Sequence, residues 1–229
     1  AFIYALMPSI VLFTATSADI LFTPVTITPL FLFWRAIHRD SIRYAMAAGM
    51  GYACMSLLSF SLLVVGIFFG LVGLWRLADP SRRGAVIKTA IVMGAATIAT
   101  HGALWLWTGF NIFEIFTMSK AQFDLDQANL DLVTPRYAPW IYKLINPFCW
   151  IFFAGIPASL LFCWRLRRPS PDTKTLFIIF ALTLLTLDLL YLARGEGERS
   201  ALYVMPFIAV PAAHLIDEWC RQARSLEPL

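Results

Sequence analysis

Arg194-Gly195-Glu196-Gly197-Glu198-Arg199 puts four charges and two glycines between the apolar runs 177–192 and 201–216. Charged groups at the edge of an apolar phase are costly unless partnered, so this segment is a candidate site or a lock on one. Arginine presents a planar fork of donors that grips a phosphate through two bonds. The glycines let the backbone turn tightly and approach a ligand closely. Asp188 stands about one helical turn before the segment, inside the preceding apolar run. A carboxylate there needs a partner, and Arg194 or Arg199 is close enough in sequence to supply it, as a structural ion pair or as part of a binding site. Arg194, Glu196, Glu198, Arg199 and Asp188 are therefore the candidate substrate-binding residues.

Further carboxylates lie elsewhere. Asp19 ends Thr14-Ala15-Thr16-Ser17-Ala18-Asp19. It reads first as a helix N-cap, which bonds free backbone N–H groups, and then as a carboxylate turned into a cavity, two roles that one residue can combine. Glu114 belongs to a stretch in which Asn111, Glu114, Thr117 and Lys120 recur every third residue among Phe, Ile and Met. That pattern predicts a helix lying in a membrane interface, with Glu114 as a second candidate for the same cavity. Asp124, Asp126 and Asp131 lack the glycine and glutamate of a calcium loop and read as a solvated acidic face. His38, His101 and His214 are too scattered to form a metal site.

The elements that must hold these groups are apolar. The chain has 229 residues, 59% of them hydrophobic and 14% charged, with a mean hydropathy of +0.72. A soluble domain carries about 25% charged residues. Continuous rather than alternating apolar runs exclude a β-barrel, so the fold expected is all-α, a polytopic transmembrane helical bundle. Eight segments can be drawn: residues 1–13, 20–37, 44–58, 61–77, 85–107, 144–164, 175–192 and 201–216, plus the one outer interfacial helix. Residues 44–77 would extend about 51 Å as one helix, too long for one span, so a turn at Ser59 is expected. Thr23-Pro24 and Thr28-Pro29 predict a bent second segment whose hydroxyls fill freed backbone positions. The segment 1–13 is too short to span and has no basic leader, so the chain is expected to begin inside a transmembrane helix, as one domain lacking an N-terminal part.

The net charge of +4 and the pI near 9.0 reflect basic loops, not a nucleic-acid surface. Of the 18 Lys and Arg, 13 fall in one set of loops: Arg35, Arg39, Arg43, Arg76, Arg82, Arg83, Lys88, Arg165, Arg167, Arg168, Lys174, Arg221 and Arg224. The other five are Lys120, Arg136, Lys143, Arg194 and Arg199. The first set is expected to be cytoplasmic. The candidate residues then collect on the extracytoplasmic side of a multi-pass inner membrane. Four scattered cysteines, Cys54, Cys149, Cys163 and Cys220, give no CxxC framework for a disulfide or zinc.

Several short motifs carry a resemblance. Met7-Pro8-Ser9-Ile10-Val11-Leu12-Phe13 followed by Asp19 is similar to the middle of bacterial GT-C membrane glycosyltransferases. So are Gly109-Phe110-Asn111 with Glu114, then Tyr137, Trp140, Asn146-Pro147 and Gly155-Ile156-Pro157. Gly195-x-x-Glu198-Arg199 with Tyr203 and Pro206 resembles their late outer loop. The resemblance implies hexosyl or pentosyl transfer from a polyprenyl-phosphate sugar to an acceptor outside the cell, usually with inversion. A lipid-linked sugar would be the donor substrate, membrane lipid the surrounding partner, and a divalent metal ion a candidate cofactor. The family's catalytic carboxylate lies in a first outer loop that has no counterpart here, which leaves Asp19 and Glu114 as the candidates for the base. The competing readings are a transporter or flippase of a lipid-linked or anionic solute, centred on Asp188, and a non-catalytic membrane subunit.

Overall fold

A computed structural model describes residues 7, 8, 10, 21–133, 139–168, 173–189 and 197–225. Among them every regular element is helical: α1 (Phe22–Arg39), α2 (Ile42–Leu58), a 3₁₀ segment (Phe60–Val65), α3 (Gly66–Leu77), α4 (Arg83–Thr108), α5 (Ile112–Val133), α6 (Pro139–Ala154), α7 (Ile156–Arg167), α8 (Lys174–Leu189) and α9 (Gly197–Ser225). The all-α expectation holds for these residues. The chain divides into two compact units. The first comprises Ala1–Ile27, Val65–Val72 and Tyr142–Leu229, and the second Thr28–Val64 and Gly73–Ile141.

In the second unit, α2 and α4 pack side by side. Ala45, Gly49 and Ala53 recur every four residues on α2 and are buried. Small residues at that spacing let two backbones approach closely. A Cβ added to Gly49 would collide with the Met93 carbonyl oxygen and stand 2.8 Å from the Ala96 Cβ. Thr97 Oγ1 donates to the carbonyls of Gly49 (3.1 Å) and Met93 (2.9 Å). Asp40 pairs with Lys88 at 2.6 Å near the two N-termini, and Ser56 bonds His101 Nε2 at 3.0 Å toward the other ends. The two helices are therefore parallel, and the chain between them must turn back. It does so at Ser59, which is extended (φ −164, ψ 134) and ends α2, with its N–H donating to the Met55 carbonyl. Tyr52 OH then holds the 3₁₀ segment through the Leu63 carbonyl at 2.8 Å. The expected turn at Ser59 is thus present, and its reason is this parallel pairing.

Gly109 closes α4 in the left-handed conformation (φ 74), where glycine is unstrained. The expected amphipathic helix follows as α5. Asn111 Oδ1 caps it by accepting the Phe113 N–H at 3.1 Å. It runs past Lys120 to Val133.

In the first unit, α9 is buried along most of the stretch from Leu202 to Leu215, the signature of a helix enclosed by neighbours. Phe68, Phe180 and Phe207 meet at ring distances of 5.4–5.7 Å around it. One end is locked by Arg165, which is 2% exposed. Its guanidinium donates to Glu218 Oε2 (2.6 Å), Thr173 Oγ1 (3.3 Å) and His214 Nδ1 (3.0 Å), and lies 5.4 Å from the Phe177 ring centroid. Arginine has donors only, so His214 Nδ1 must be the acceptor.

Prolines shape the rest of this unit. Pro206 has no N–H for the Leu202 carbonyl, and the buried Thr23 hydroxyl donates to that carbonyl instead, at 2.8 Å. Thr23 thus fills a freed backbone position, as its sequence context suggested, but on another helix. The segment expected at 144–164 is not one continuous helix: it bends by 110° between α6 and α7. Gly155 takes φ 86, ψ 134, a conformation open to glycine, and Pro157 follows at the start of α7. The Ser159 hydroxyl reaches back across the break to the Ile151 carbonyl at 3.2 Å.

Among the described residues α4 alone is long and apolar enough to cross a membrane, and the bent pair Lys143–Ala154 with Ile156–Arg167 passes the same test jointly. Only 11% of the most apolar stretch of α4 is buried, and Ile98, Leu106 and Trp107 are 74%, 81% and 85% exposed. Of the other described helices, α5 and α9 are long enough but too polar, with 22 and 29 residues.

Gly49→Leu is expected to push α2 and α4 apart and to cost about 1–3 kcal/mol, the range for overpacking a filled site. Thermal unfolding of the purified variant in detergent measures this, and an unchanged midpoint would contradict the close crossing. Thr23→Val keeps the shape but leaves the Leu202 carbonyl without a donor, at a cost of about 1–3 kcal/mol in the same measurement.

Candidate functional site

Asp188 lies in the last turn of α8, at the end of the first unit opposite Arg165, and is 7% exposed. Its carboxylate is hydrogen-bonded by the side chain of Asn146, itself 2% exposed, and feels the positive charge of Lys143. Asn146 and Lys143 stand three residues apart on α6, which puts them on one face of that helix. Pro147 follows Asn146 inside α6 and cannot donate to the helix ladder, a local irregularity beside the polar pair. An ionised Asp188 only accepts, so for that form the Asn146 amide N–H₂ is the donor. The other carboxylate oxygen, Oδ1, is buried and has no hydrogen-bond partner among the described residues. A buried oxygen in that state calls for a donor.

The start of α9 lies against the start of α1, because Thr23 holds the Leu202 carbonyl. Glu198 and Arg199 occupy the turn of α9 just before Leu202, and Asp19 precedes Thr23 by four residues. Asp19, Arg194 and Glu196 lie outside the described residues, as do the side chains of Glu198 and Arg199. Thr26 Oγ1, one turn along α1 from Thr23, is fully buried and has no partner among the described residues. The first unit therefore has, among its described residues, two buried oxygens without partners: one on α1 and one on α8.

Glu114 is exposed in the first turn of α5, in the second unit, where a carboxylate favours the positive end of the helix dipole. Asp124, Asp126 and Asp131 all fall on α5, a regular helix and not a cation-binding loop. No group of three metal-ligating side chains occurs among the described residues. His101 serves packing through Ser56. His38 and His214 each accept from an arginine, Arg76 and Arg165.

Sequence proximity pointed from Asp188 to Arg194 and Arg199. The partners the structure supplies, Asn146 and Lys143, come from more than 40 residues upstream and were not expected. The signal was present: an Asn-Pro inside an apolar run is a buried polar group that must find a partner. No family model, no curated protein and no solved structure matches this chain.

Asn146→Leu removes the described donor of Asp188 and is expected to destabilise the protein by about 1–3 kcal/mol. Asp188→Leu in the same chain should recover part of that loss, because contacting polar pairs couple by about 0.5–3 kcal/mol. Additive losses in a double-mutant cycle would show that the two side chains do not depend on each other.

Proposed function

We propose that this chain is a multi-pass helical protein of a bacterial inner membrane, and that the Asp188 end of the first unit is part of an extracytoplasmic glycosyltransferase site. The observation that carries the site is the buried Asp188 carboxylate, half-satisfied by Asn146, at the helix end leading into Arg194–Arg199. A buried charge kept with an open oxygen serves a ligand or a cation better than it serves packing. The membrane reading draws support from α4, whose apolar surface is left largely uncovered. It draws further support from basic residues gathered at shared helix ends. Asp40 and Lys88 join α1 to α4, Arg76 and His38 join α3 to α1, and Arg83 Nε holds the Leu77 carbonyl at 2.8 Å.

On this reading the donor is a sugar linked to a polyprenyl phosphate, as the GT-C resemblance implies. The acceptor hydroxyl attacks the anomeric carbon, the carbon–oxygen bond to the phosphate breaks, and the lipid phosphate departs. A carboxylate takes the hydroxyl proton, with Asp19 the candidate from the first unit. Arg194 and Arg199 stabilise the negative charge on the departing phosphate. Asp188 has the role of orienting a cation, Lys143 or one of the arginines, and Glu196 and Glu198 that of binding sugar hydroxyls.

One observation favours a second reading. The 110° break at Gly155 belongs to the same unit as Asp188, and broken helices line the binding sites of many transporters. A flippase of a lipid-linked solute would use the same phosphate chemistry without the transfer.

Membranes containing the full-length protein are expected to move radiolabelled sugar from a polyprenyl-phosphate donor to acceptor. Arg199→Ala should lower that transfer roughly 10–100-fold, the loss of one charge-assisted contact. Unchanged transfer and donor affinity would remove Arg199 from the site. Donor translocation in sealed vesicles without transfer would favour the second reading.

A further inference from the structure

The second unit carries a cationic cluster that the proposed reaction does not use. Arg76 lies with its guanidinium carbon 4.1 Å from the Trp75 ring centroid and 5.2 Å from that of Trp34. The two indoles are themselves stacked at 6.3 Å. Arg76 Nη2 bonds His38 Nε2 at 3.0 Å, while His38 Nδ1 bonds the Trp34 carbonyl at 2.9 Å. A carbonyl only accepts, so Nδ1 carries the proton and Nε2 receives the arginine. The histidine is therefore neutral and does not offset the arginine charge. Arg82 adds a second positive charge that acts on both Arg76 and His38.

Asp79 offsets part of this charge without an ion pair. Among the described residues Arg35, Arg39, Arg43, Arg76 and Arg82 have no ion pair with a carboxylate. Asp40 is taken by Lys88. Asp79 accepts the Ser81 hydroxyl (2.7 Å) and backbone N–H (2.9 Å), which hold its carboxyl below the usual range. Among the described residues Arg76 makes one hydrogen bond, to His38, and its Nε is buried without an acceptor. Stacking and His38 thus fix the guanidinium plane and leave one edge unused. A fixed guanidinium with a free edge is suited to a phosphate oxygen.

The surroundings select a lipid over a free ion. Along one face of α1, at helical spacing, the residues change from Phe31 (56% exposed) through Trp34 and Arg35 to His38. On α3, Leu74 is 68% exposed immediately before Trp75 and Arg76. This order of apolar, aromatic and cationic groups matches the order of acyl chain, interface and headgroup. We propose that Arg76, held against Trp34 and Trp75 and backed by His38 and Arg82, binds the headgroup phosphate of an anionic phospholipid in the leaflet facing the basic helix ends. The inference rests on the membrane reading above and is independent of the glycosyltransferase site.

The full-length protein in lipid nanodiscs provides the test. Carbonate extraction of native membranes comes first, because release of the protein there sinks the membrane reading itself. Bound lipid is then counted by native mass spectrometry in equimolar phosphatidylglycerol and phosphatidylcholine. Wild type is expected to retain phosphatidylglycerol preferentially, and Arg76→Gln with Arg82→Gln to weaken that retention roughly tenfold. Arg39→Gln with Arg43→Gln removes the same charge from the same end and should change retention little. Equal loss in both double variants would mean diffuse attraction and overturn the site. So would a membrane-embedded wild type with no preference, or inorganic phosphate displacing the lipid at millimolar concentration. If the Arg76 variant unfolds on heating below wild type, the wild-type preference and its response to Arg39→Gln with Arg43→Gln still decide.

Discussion

A helix that turns an apolar surface outward must either find a partner or lie in a medium other than water, and α4 imposes that choice on the whole chain. Most of its apolar stretch is uncovered, although α2 packs tightly along one side. The same constraint governs the interior. Where water is excluded, each backbone carbonyl that loses its helical donor needs a substitute. Thr23 serves Leu202 across from Pro206, and Ser159 serves Ile151 across the break at Gly155. These repairs set which helices touch, and they bring the start of α1 to the start of α9.

The polar groups of the first unit divide into two ends with different degrees of satisfaction. At the Arg165 end the guanidinium meets a carboxylate, a hydroxyl, an imidazole and an aromatic face. That arrangement fixes α7, α8 and α9 to one another. At the Asp188 end one amide serves a buried carboxylate and a second oxygen is open. Among the described residues the Arg165 guanidinium leaves only its Nε without an acceptor, whereas the Asp188 carboxylate leaves a whole oxygen open, where a ligand or a further cation can enter. The proposed placement of the donor phosphate follows that contrast.

Much of the helical framework was legible in the sequence because apolar run length and turn chemistry are local. The turn at Ser59 followed from the length of 44–77 and the arginines at both its ends, and the amphipathic pattern from Asn111 to Lys120 marked α5. The 110° bend in 144–164 was missed, although Gly155 and Pro157 were visible, because composition does not show that glycine takes a positive φ. The partners of Asp188 were missed for a different reason. Sequence distance favoured Arg194 and Arg199, while tertiary packing brought Asn146 from a separate helix. Likewise, Arg76 was counted as an orientation signal, and its position between two indoles depends on α1 and α3 meeting. For Asp188 the need of a partner was legible in the sequence and the identity of Asn146 was not. Asp19, Arg194 and Glu196 lie outside the described residues.

The central claim is that the basic helix ends and the α5 surface lie on opposite sides of a membrane. A chain freed of its four cysteines, with a single cysteine at position 82 or at position 120, can be treated with a membrane-impermeant maleimide in intact cells. The account predicts reaction at 120 before permeabilisation and at 82 only after it. Equal reaction at both positions in intact cells, or the reverse order, would contradict it.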